Sequence, residues 1–287
     1  SSQTEQDTRH FAKYSNLPVF DPSSPEEAYE MVSYAFDLSE EFRLPVFLRP
    51  TTRVCHASAT VDLADVHEPR PASGFVKRPD WIIFPALSYR KHGELEQKQK
   101  LLSEKFGTLP FNKIKKGGRS GIAVSGISYL YLTEVIREFG LDLTVFKVGT
   151  PYPIPTKPAE EFLSLVDRVL VIEELDPVIE EQLLILSAGK KEILGKMTAH
   201  LPCNGEYSFE LIRDAVLKFA CVRSEDLPMA EIPVLPVRPP VLCAGCPHRA
   251  SFYAAKTAAK NFEKTVYCGD IGCYTLGNAA PLNTVDT

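Results

Sequence analysis

Hydrophobic residues first fall into helical spacing at Ala28, Met31, Val32, Ala35 and Phe42, behind Ser24-Pro25-Glu26-Glu27. An N-cap serine, proline at the first helical position and a glutamate three residues after the cap predict a helix from residue 25. Leu44-Pro-Val-Phe-Leu48 then predicts a short buried strand running straight into polar Arg49-Pro-Thr-Thr-Arg53. Polar residues at the carboxyl end of a buried strand sit where open α/β sheets bind ligands. Over 59–116 the periodicity breaks at Glu68-Pro-Arg-Pro71 and at Arg78-Pro79, and 88–105 predicts a charged, solvent-facing helix. That span reads as a connecting segment.

From Lys115 onward strand and helix alternate. Gly121-Ile-Ala-Val124, the run from Leu141 to Val148, and Arg168-Val-Leu-Val-Ile172 predict strands, with a Ser125-Gly126 turn after the first. Helices are predicted from Tyr129 to Phe139, around 159–166, from Pro177 to Leu186 and from Ser208 to Ala220. This order predicts a parallel sheet of the α/β class over 117–230. Gly117, Gly118 and Gly121 precede their strand, and no Lys-Ser/Thr pair follows, so no phosphate loop is predicted. Glu173-Glu174 at a strand end is either a ligand pair or a favourable charge at a helix amino terminus. Pro228, Pro233, Pro236, Pro239 and Pro240 predict an extended linker, placed at 231–240. Beyond it, 241–287 predicts a cysteine turn, a helix from His248 to Phe262, a strand Thr265-Val-Tyr-Cys268, and Gly269-Asp-Ile-Gly-Cys273.

The length of 287 residues suggests two domains, and 44% hydrophobic residues suffice for a full core. A net charge of −5 provides no general basic field, so neither nucleic acid nor an anionic membrane is an expected partner. No apolar run reaches the roughly 18–20 residues of a membrane span, and no signal-peptide pattern opens the chain; a cytoplasmic location is expected. Neither the first ten nor the last ten residues read as a natural boundary, so a piece of a longer polypeptide is expected.

Seven cysteines, an odd number, argue against a secreted disulfide framework. Four of them, Cys243, Cys246, Cys268 and Cys273, lie in the last 45 residues. Cys243-Ala-Gly-Cys246-Pro-His precedes a predicted helix, where two thiolates grip one metal or form a reactive pair at a helix amino terminus. Cys273 is the natural third thiolate, whereas Cys268 is expected to pack in a core. Iron–sulfur clusters take four thiolates, and zinc accepts three cysteines with a histidine such as His248, so both readings stay open. His10, His56, His67, His92 and His200 read as surface or satisfied histidines.

Pro240-Val-Leu-Cys-Ala-Gly-Cys-Pro-His-Arg249, Cys268-Gly-Asp-Ile-Gly-Cys-Tyr-Thr-Leu-Gly277 and Pro281-Leu-Asn-Thr-Val-Asp-Thr287 together resemble the large subunit of indolepyruvate ferredoxin oxidoreductases. The opening Ser1-Ser-Gln-Thr-Glu-Gln-Asp-Thr-Arg9 and Arg49-Pro-Thr-Thr-Arg-Val54 are similar to the same subunit, so the resemblance spans the chain. It implies the carboxyl-terminal part of a pyrimidine-binding thiamine domain over 1–58. A transketolase-C-terminal-like α/β domain is implied over 117–230, and the amino-terminal part of a diphosphate-binding thiamine domain over 241–287. The implied fold class is thus α/β, a parallel-sheet domain flanked by partial thiamine-diphosphate-binding domains.

The resemblance implies oxidative decarboxylation of an aryl 2-oxo acid, such as indolepyruvate, to an acyl-CoA, with electrons passed to ferredoxin and a small (beta) subunit as partner. Thiamine diphosphate with Mg2+ is the implied cofactor, lined here by Cys246, His248, Asp270, Ile271, Gly272 and Cys273. Cys243, Cys246 and Cys273 match cysteines that hold a [4Fe–4S] cluster in related enzymes. The activating glutamate and the Mg2+ motif are expected outside this span, so the isolated chain is expected to be catalytically silent. Arg49, Thr52 and Arg53 are the expected substrate-binding residues, because a guanidinium at a strand end holds a carboxylate bidentately; the alternative for them is a surface ion pair. The competing reading of the whole chain is a non-catalytic flavodoxin-like docking module with a zinc-stapled cysteine segment. A CxxC thiol oxidoreductase is the third.

Overall fold

The computed structural model describes residues 5–63, 74–77, 82–222, 234–236 and 239–287. Glu68–Pro71, Arg78-Pro79 and most of the proline linker lie outside the described residues. The chain divides into two compact units, Ser1–Ser224 and Glu225–Thr287.

A five-stranded sheet organises the first unit. Its strands are β3 (Lys113–Lys115), β4 (Ser120–Val124), β5 (Thr144–Lys147), β6 (Arg168–Ile172) and β7 (Glu192–Leu194), in the order β3-β5-β4-β6-β7. All neighbours are parallel except β3, which closes one edge antiparallel to β5. This is the expected α/β class. The central strands are apolar without interruption because both faces are covered. On one face Ile122, Val124, Val145, Leu170 and Ile172 meet α5 (Ser128–Phe139) and α8 (Phe209–Ala220), through Leu132, Val135, Ile212 and Val216. On the other, Ala123, Phe146, Val169 and Val171 meet Phe162 and Leu163 of α6 (Thr156–Leu165) and Ile179 and Leu183 of α7 (Val178–Ser187). Successive residues of one strand feed opposite cores, the period of two that a pleated strand imposes.

A second, two-stranded sheet pairs β1 (Val19–Phe20) with β2 (Phe47–Leu48) in parallel. Between them runs α2 (Pro25–Phe42), capped as predicted by the Ser24 hydroxyl, which accepts from the Glu27 amide. The Glu27 carboxylate reaches back to the amide and hydroxyl of Ser23, both at 2.7 Å. The buried face of α2 departs from expectation. Met31 and Leu38 are buried, whereas Val32 is exposed.

The helix predicted over 88–105 forms as α4 (Pro85–Phe106), but its last turn is not solvent-facing. Leu102 and Phe106, followed by Leu109 and Phe111, close a core with Phe20, Met31 and Leu38, so part of the expected connecting segment completes the packing of residues 20–48. The charged first turns hide this, since only one end of a long helix is buried.

The second unit is small. Helix α9 (Pro247–Ala259) packs Phe252 against Leu242 and Val285. The Phe252 ring lies where a Cβ on Gly277 would stand 2.7 Å from it, so only glycine admits this contact. The strand expected at Thr265–Cys268 does not form. The Tyr267 carbonyl accepts from the amides of Asp286 and Thr287, its own amide donates to the Asp286 carboxylate, and the Gly269 amide donates to the Thr287 carbonyl, but these contacts do not make a regular strand. Cys268, expected in a core, is exposed, as a unit this size has little interior to offer.

The packing of β4 gives a stability test. A Cβ on Gly121 would lie 2.8 Å from both Phe162 and Val166. Gly121→Ala is expected to lower the unfolding free energy by about 1–3 kcal/mol through overpacking, measured by urea denaturation.

Candidate functional site

The parallel register of β1 and β2 sets Val19 beside Phe47 and Phe20 beside Leu48. The next residue on each strand is charged, Asp21 on one and Arg49 on the other. The Arg49 amide donates to the Phe20 carbonyl at 2.8 Å, which keeps the two strand ends level. The Arg49 side chain is only 11% exposed; its Nη1 lies 3.4 Å from Asp21 Oδ2 and its Nη2 lies 4.0 Å from Asp7 Oδ1.

Asp7 is in turn fixed by Arg9, whose side chain is fully buried. Arg9 Nε donates to Asp7 Oδ1 at 3.0 Å and Nη2 donates to Asp7 Oδ2 at 2.6 Å. Its Nη1 donates to Glu173 Oε2 at 2.6 Å, and Nη2 also reaches the carbonyls of Glu174 and Asp176. Asp7 is at once the N-cap of α1 (Thr8–Tyr14), accepting from the Arg9 amide at 3.0 Å. Glu173 accepts from the amides of Ile179 and Glu180 at the start of α7. Of the two readings of Glu173-Glu174, Glu173 is therefore the helix-terminus acid, held by orphan N–H groups and a buried cation.

These contacts divide the carboxyl groups. Burial works against ionisation of Asp7, but the hydrogen bonds and charge of Arg9, with the charge of Arg49, outweigh it and hold Asp7 at about 2. Burial pushes Asp21 up against the opposing pull of Arg49 and Arg9. It likewise raises Glu173 against Arg9, and Glu174 against the Tyr207 amide and Arg49.

A cleft of about 440 Å³ opens beside this network, lined among others by Arg49, Thr51, Thr52, Cys55, Glu174 and Glu206. Thr51 and Thr52 begin α3 (Thr52–His56), a single turn after β2. Of the expected substrate residues, Arg49 faces the cleft from a buried position. Thr52 is exposed in its wall. Arg53 makes a bidentate pair with Glu206 at 3.0 and 2.8 Å, with the arginine 59% exposed. The surface ion pair weighed for this trio is what Arg53 forms.

Sequence reasoning did not find Arg9, Asp7 or Asp21. A trace of them was present, since Leu-Pro-Val-Phe occurs at 17–20 and again at 44–47. The second copy reads as part of a strand over 44–48, running into Arg49; the first, treated alike, points to the residues just after Phe20, where Asp21 stands.

In the second unit Cys243 and Cys246 flank a turn in which the Cys246 amide donates to the Cys243 carbonyl at 3.2 Å. Cys246 is the N-cap of α9, and its Sγ lies 3.2 Å from His248 Nδ1. The His248 ring meets Tyr274 edge-on at 4.7 Å, which brings the cysteine turn beside the 270–274 segment. Asp270 accepts from the Ile271 amide, and Gly272 adopts φ +102° with open space around its Cβ position. All seven cysteines are free. Among the described residues no three His, Cys, Asp or Glu side chains converge as a metal-ligand set. Cys243, Cys246 and Cys273 are thus not gathered as such a set in this conformation.

No helix among the described residues is long and apolar enough to cross a membrane. No protein-family model matches the chain. Curated proteins do. Along its whole length the chain matches the IorA subunit of indolepyruvate oxidoreductase. Identity is 37% with that subunit of Methanothermobacter thermautotrophicus, covering all of this chain and 48% of the relative. It is 40% with that of Thermococcus kodakarensis, covering 47% of the relative. The chain thus spans about half the length of the curated relatives it matches. Among solved structures it is similar to a split-gene transketolase, at 16% identity and TM-score 0.39 over 73% of this chain and 58% of that one. A 2-oxoglutarate:ferredoxin oxidoreductase from Magnetococcus marinus follows at 16% identity and TM-score 0.35, over 63% of this chain and 29% of that one.

The charge network is testable by stability. Arg9→Met, which strands two buried carboxylates, is expected to cost about 3–5 kcal/mol, read by chemical denaturation. Asp7, held low in the folded state, stabilises the protein above its ordinary value near 4, and that contribution disappears as the pH falls toward 2. Asp7→Asn is expected to be less stable than the parent by on the order of 2 kcal/mol at neutral pH, with the gap closing between about pH 4 and 2.

Proposed function

We propose that the chain is part of a cytoplasmic, thiamine-diphosphate-dependent 2-oxo acid oxidoreductase that converts arylpyruvates, indolepyruvate among them, to acyl-CoA and passes electrons to ferredoxin. The observation that carries this reading is Arg49, a nearly buried guanidinium at the carboxyl end of β2, facing a cleft large enough for an aryl acid. The name of the IorA relatives supports the substrate class. Because the chain spans about half of those relatives, the reaction belongs to a longer subunit acting with a smaller partner subunit.

Arg49 binds the substrate carboxylate, with its planar fork matched to two oxygens. Thr52 lines the same cleft, and Arg53 pairs with Glu206, which lines it too. When bound, thiamine diphosphate supplies the carbanion stabilisation that decarboxylation needs. The 270–273 segment is exposed, with Gly272 at φ +102°, and so is accessible to such a group. Asp270, Ile271, Gly272 and Cys273 would hold it there, with Cys246 and His248 alongside.

The full-length subunit, assembled with its partner, is expected to reduce ferredoxin with indolepyruvate and CoA; activity with pyruvate or 2-oxoglutarate but not with arylpyruvates refutes the substrate assignment. In that enzyme Arg49→Ala is expected to raise KM for the aryl acid roughly 10- to 100-fold, the worth of a charged hydrogen-bonded contact. For the 287-residue chain alone, calorimetric titration with thiamine diphosphate and Mg2+ is expected to show no tight stoichiometric binding.

A further inference from the structure

Arginine reaches its ligand on a long side chain with many rotamers, so a guanidinium that must meet a carboxylate in one orientation needs something to hold it. Two carboxylates stand near Arg49. Asp7, at 4.0 Å, is already engaged by the Arg9 side chain and by the amides of Arg9 and Asp176. Asp21, at 3.4 and 3.5 Å from Nη1, has no such guanidinium of its own.

Asp21 is itself immobilised from several sides. Its amide donates to the Gly149 carbonyl at 2.8 Å, behind the end of β5. Its carboxyl, fully buried, takes a hydrogen bond from Ser125 at the end of β4. The Ser125-Gly126 turn presses against it, since a Cβ on Gly126 would lie 3.4 Å from both carboxylate oxygens. At this position φ is +59°, the left-handed region where glycine is unstrained. The contacts from Arg49 to Asp21 are long for a salt bridge and use one nitrogen, which leaves the other donors of the fork for a ligand.

We propose that Asp21 is the positioning residue for Arg49: anchored by Gly149 and Ser125 at the ends of the large sheet, it aims the guanidinium into the cleft. The proposal rests on the reading of Arg49 as the substrate-carboxylate group. It makes the Ser125-Gly126 turn, which at first sight only links a strand to a helix, the far support of the substrate contact.

The test is a double-mutant cycle in the full-length subunit with its partner, reading KM and kcat for indolepyruvate. A second readout is the equilibrium dissociation constant of its unreactive 2-hydroxy analogue. Asp21→Ala is expected to raise KM and the dissociation constant roughly three- to tenfold, with kcat falling by a smaller factor. On the Arg49→Ala background the same change is expected to add almost nothing, because the group it positions is gone. Asp21→Asn, closer in shape, is carried through the same cycle to guard against poor folding of the alanine variant. Ser125→Ala, which loosens Asp21 from the opposite side, is expected to shift KM in the same direction by less. An Asp21 effect that persists in full without Arg49, or an unchanged dissociation constant in both Asp21 variants, overturns the proposal while leaving the substrate reading intact. An Arg49→Ala enzyme with unchanged KM refutes the substrate reading and the proposal with it.

Discussion

A buried guanidinium is the constraint on which the first unit depends. Arg9 has no water to fall back on, so every donor it carries must find an acceptor inside the protein, and the acceptors come from distant parts of the chain. Asp7 lies two residues away, whereas Glu173, Glu174 and Asp176 lie after β6. Meeting that demand pins the opening segment over the carboxyl end of the large sheet. The position of the small β1–β2 pair follows, with the Asp21 amide bonded to the Gly149 carbonyl and the Val19 amide to the Tyr152 carbonyl, both at 2.8 Å. Desolvating so many charges is costly, and a buried pair is rarely retained for stability alone. Here the network ends at Arg49, the guanidinium that reaches the cleft.

The large sheet was legible because its physics is local and repeated. Apolar β4 and β6 with helices between them admit few arrangements other than a parallel sheet covered on both faces. The short edge strands β3 and β7 were not legible. Lys113–Lys115 and Glu192–Leu194 are each three residues, too few to show a period, and they form only because a neighbour offers a free edge. Leu102 and Phe106 were lost for a related reason, being two apolar positions at the end of a charged helix whose burial is decided by Phe20 and Met31.

The candidate site divides along the same line. Arg49 was singled out from the general rule that ligands meet strand ends, and it lines the cleft, whereas Arg53, its neighbour in the motif, pairs with Glu206. Asp21 and Arg9 needed the third dimension. An isolated arginine in a polar opening segment carries nothing to say that it is buried, since its partners lie about 165 residues further along. The cysteines lie on the same line. Spacing in Cys243-Ala-Gly-Cys246 sets two sulfurs near each other, but a third ligand such as Cys273 must be delivered by the fold, which spacing does not encode.

The charge arrangement around the cleft suits an anion even though acidic residues outnumber basic ones there. Four carboxyl groups, Asp7, Asp21, Glu173 and Glu174, face two guanidinium groups, and a formal count gives a negative site. Burial alters that count. It raises Asp21, Glu173 and Glu174 against the pull of the guanidinium groups, whereas Arg9 and Arg49 hold Asp7 low. The Asp7 charge is matched at 2.6 Å by Arg9, which also faces Glu173 at the same distance. Arg49 meets its carboxylates only at 3.4 and 4.0 Å, and so is the cation of the network whose charge is least cancelled. A guanidinium kept in that condition, with its side chain only 11% exposed, attracts a carboxylate more strongly than a fully exposed one does, because the surrounding medium screens it less. The nearest acids thus bear on the orientation of Arg49, while their 3.4 and 4.0 Å separations leave its charge less fully paired than that of Arg9.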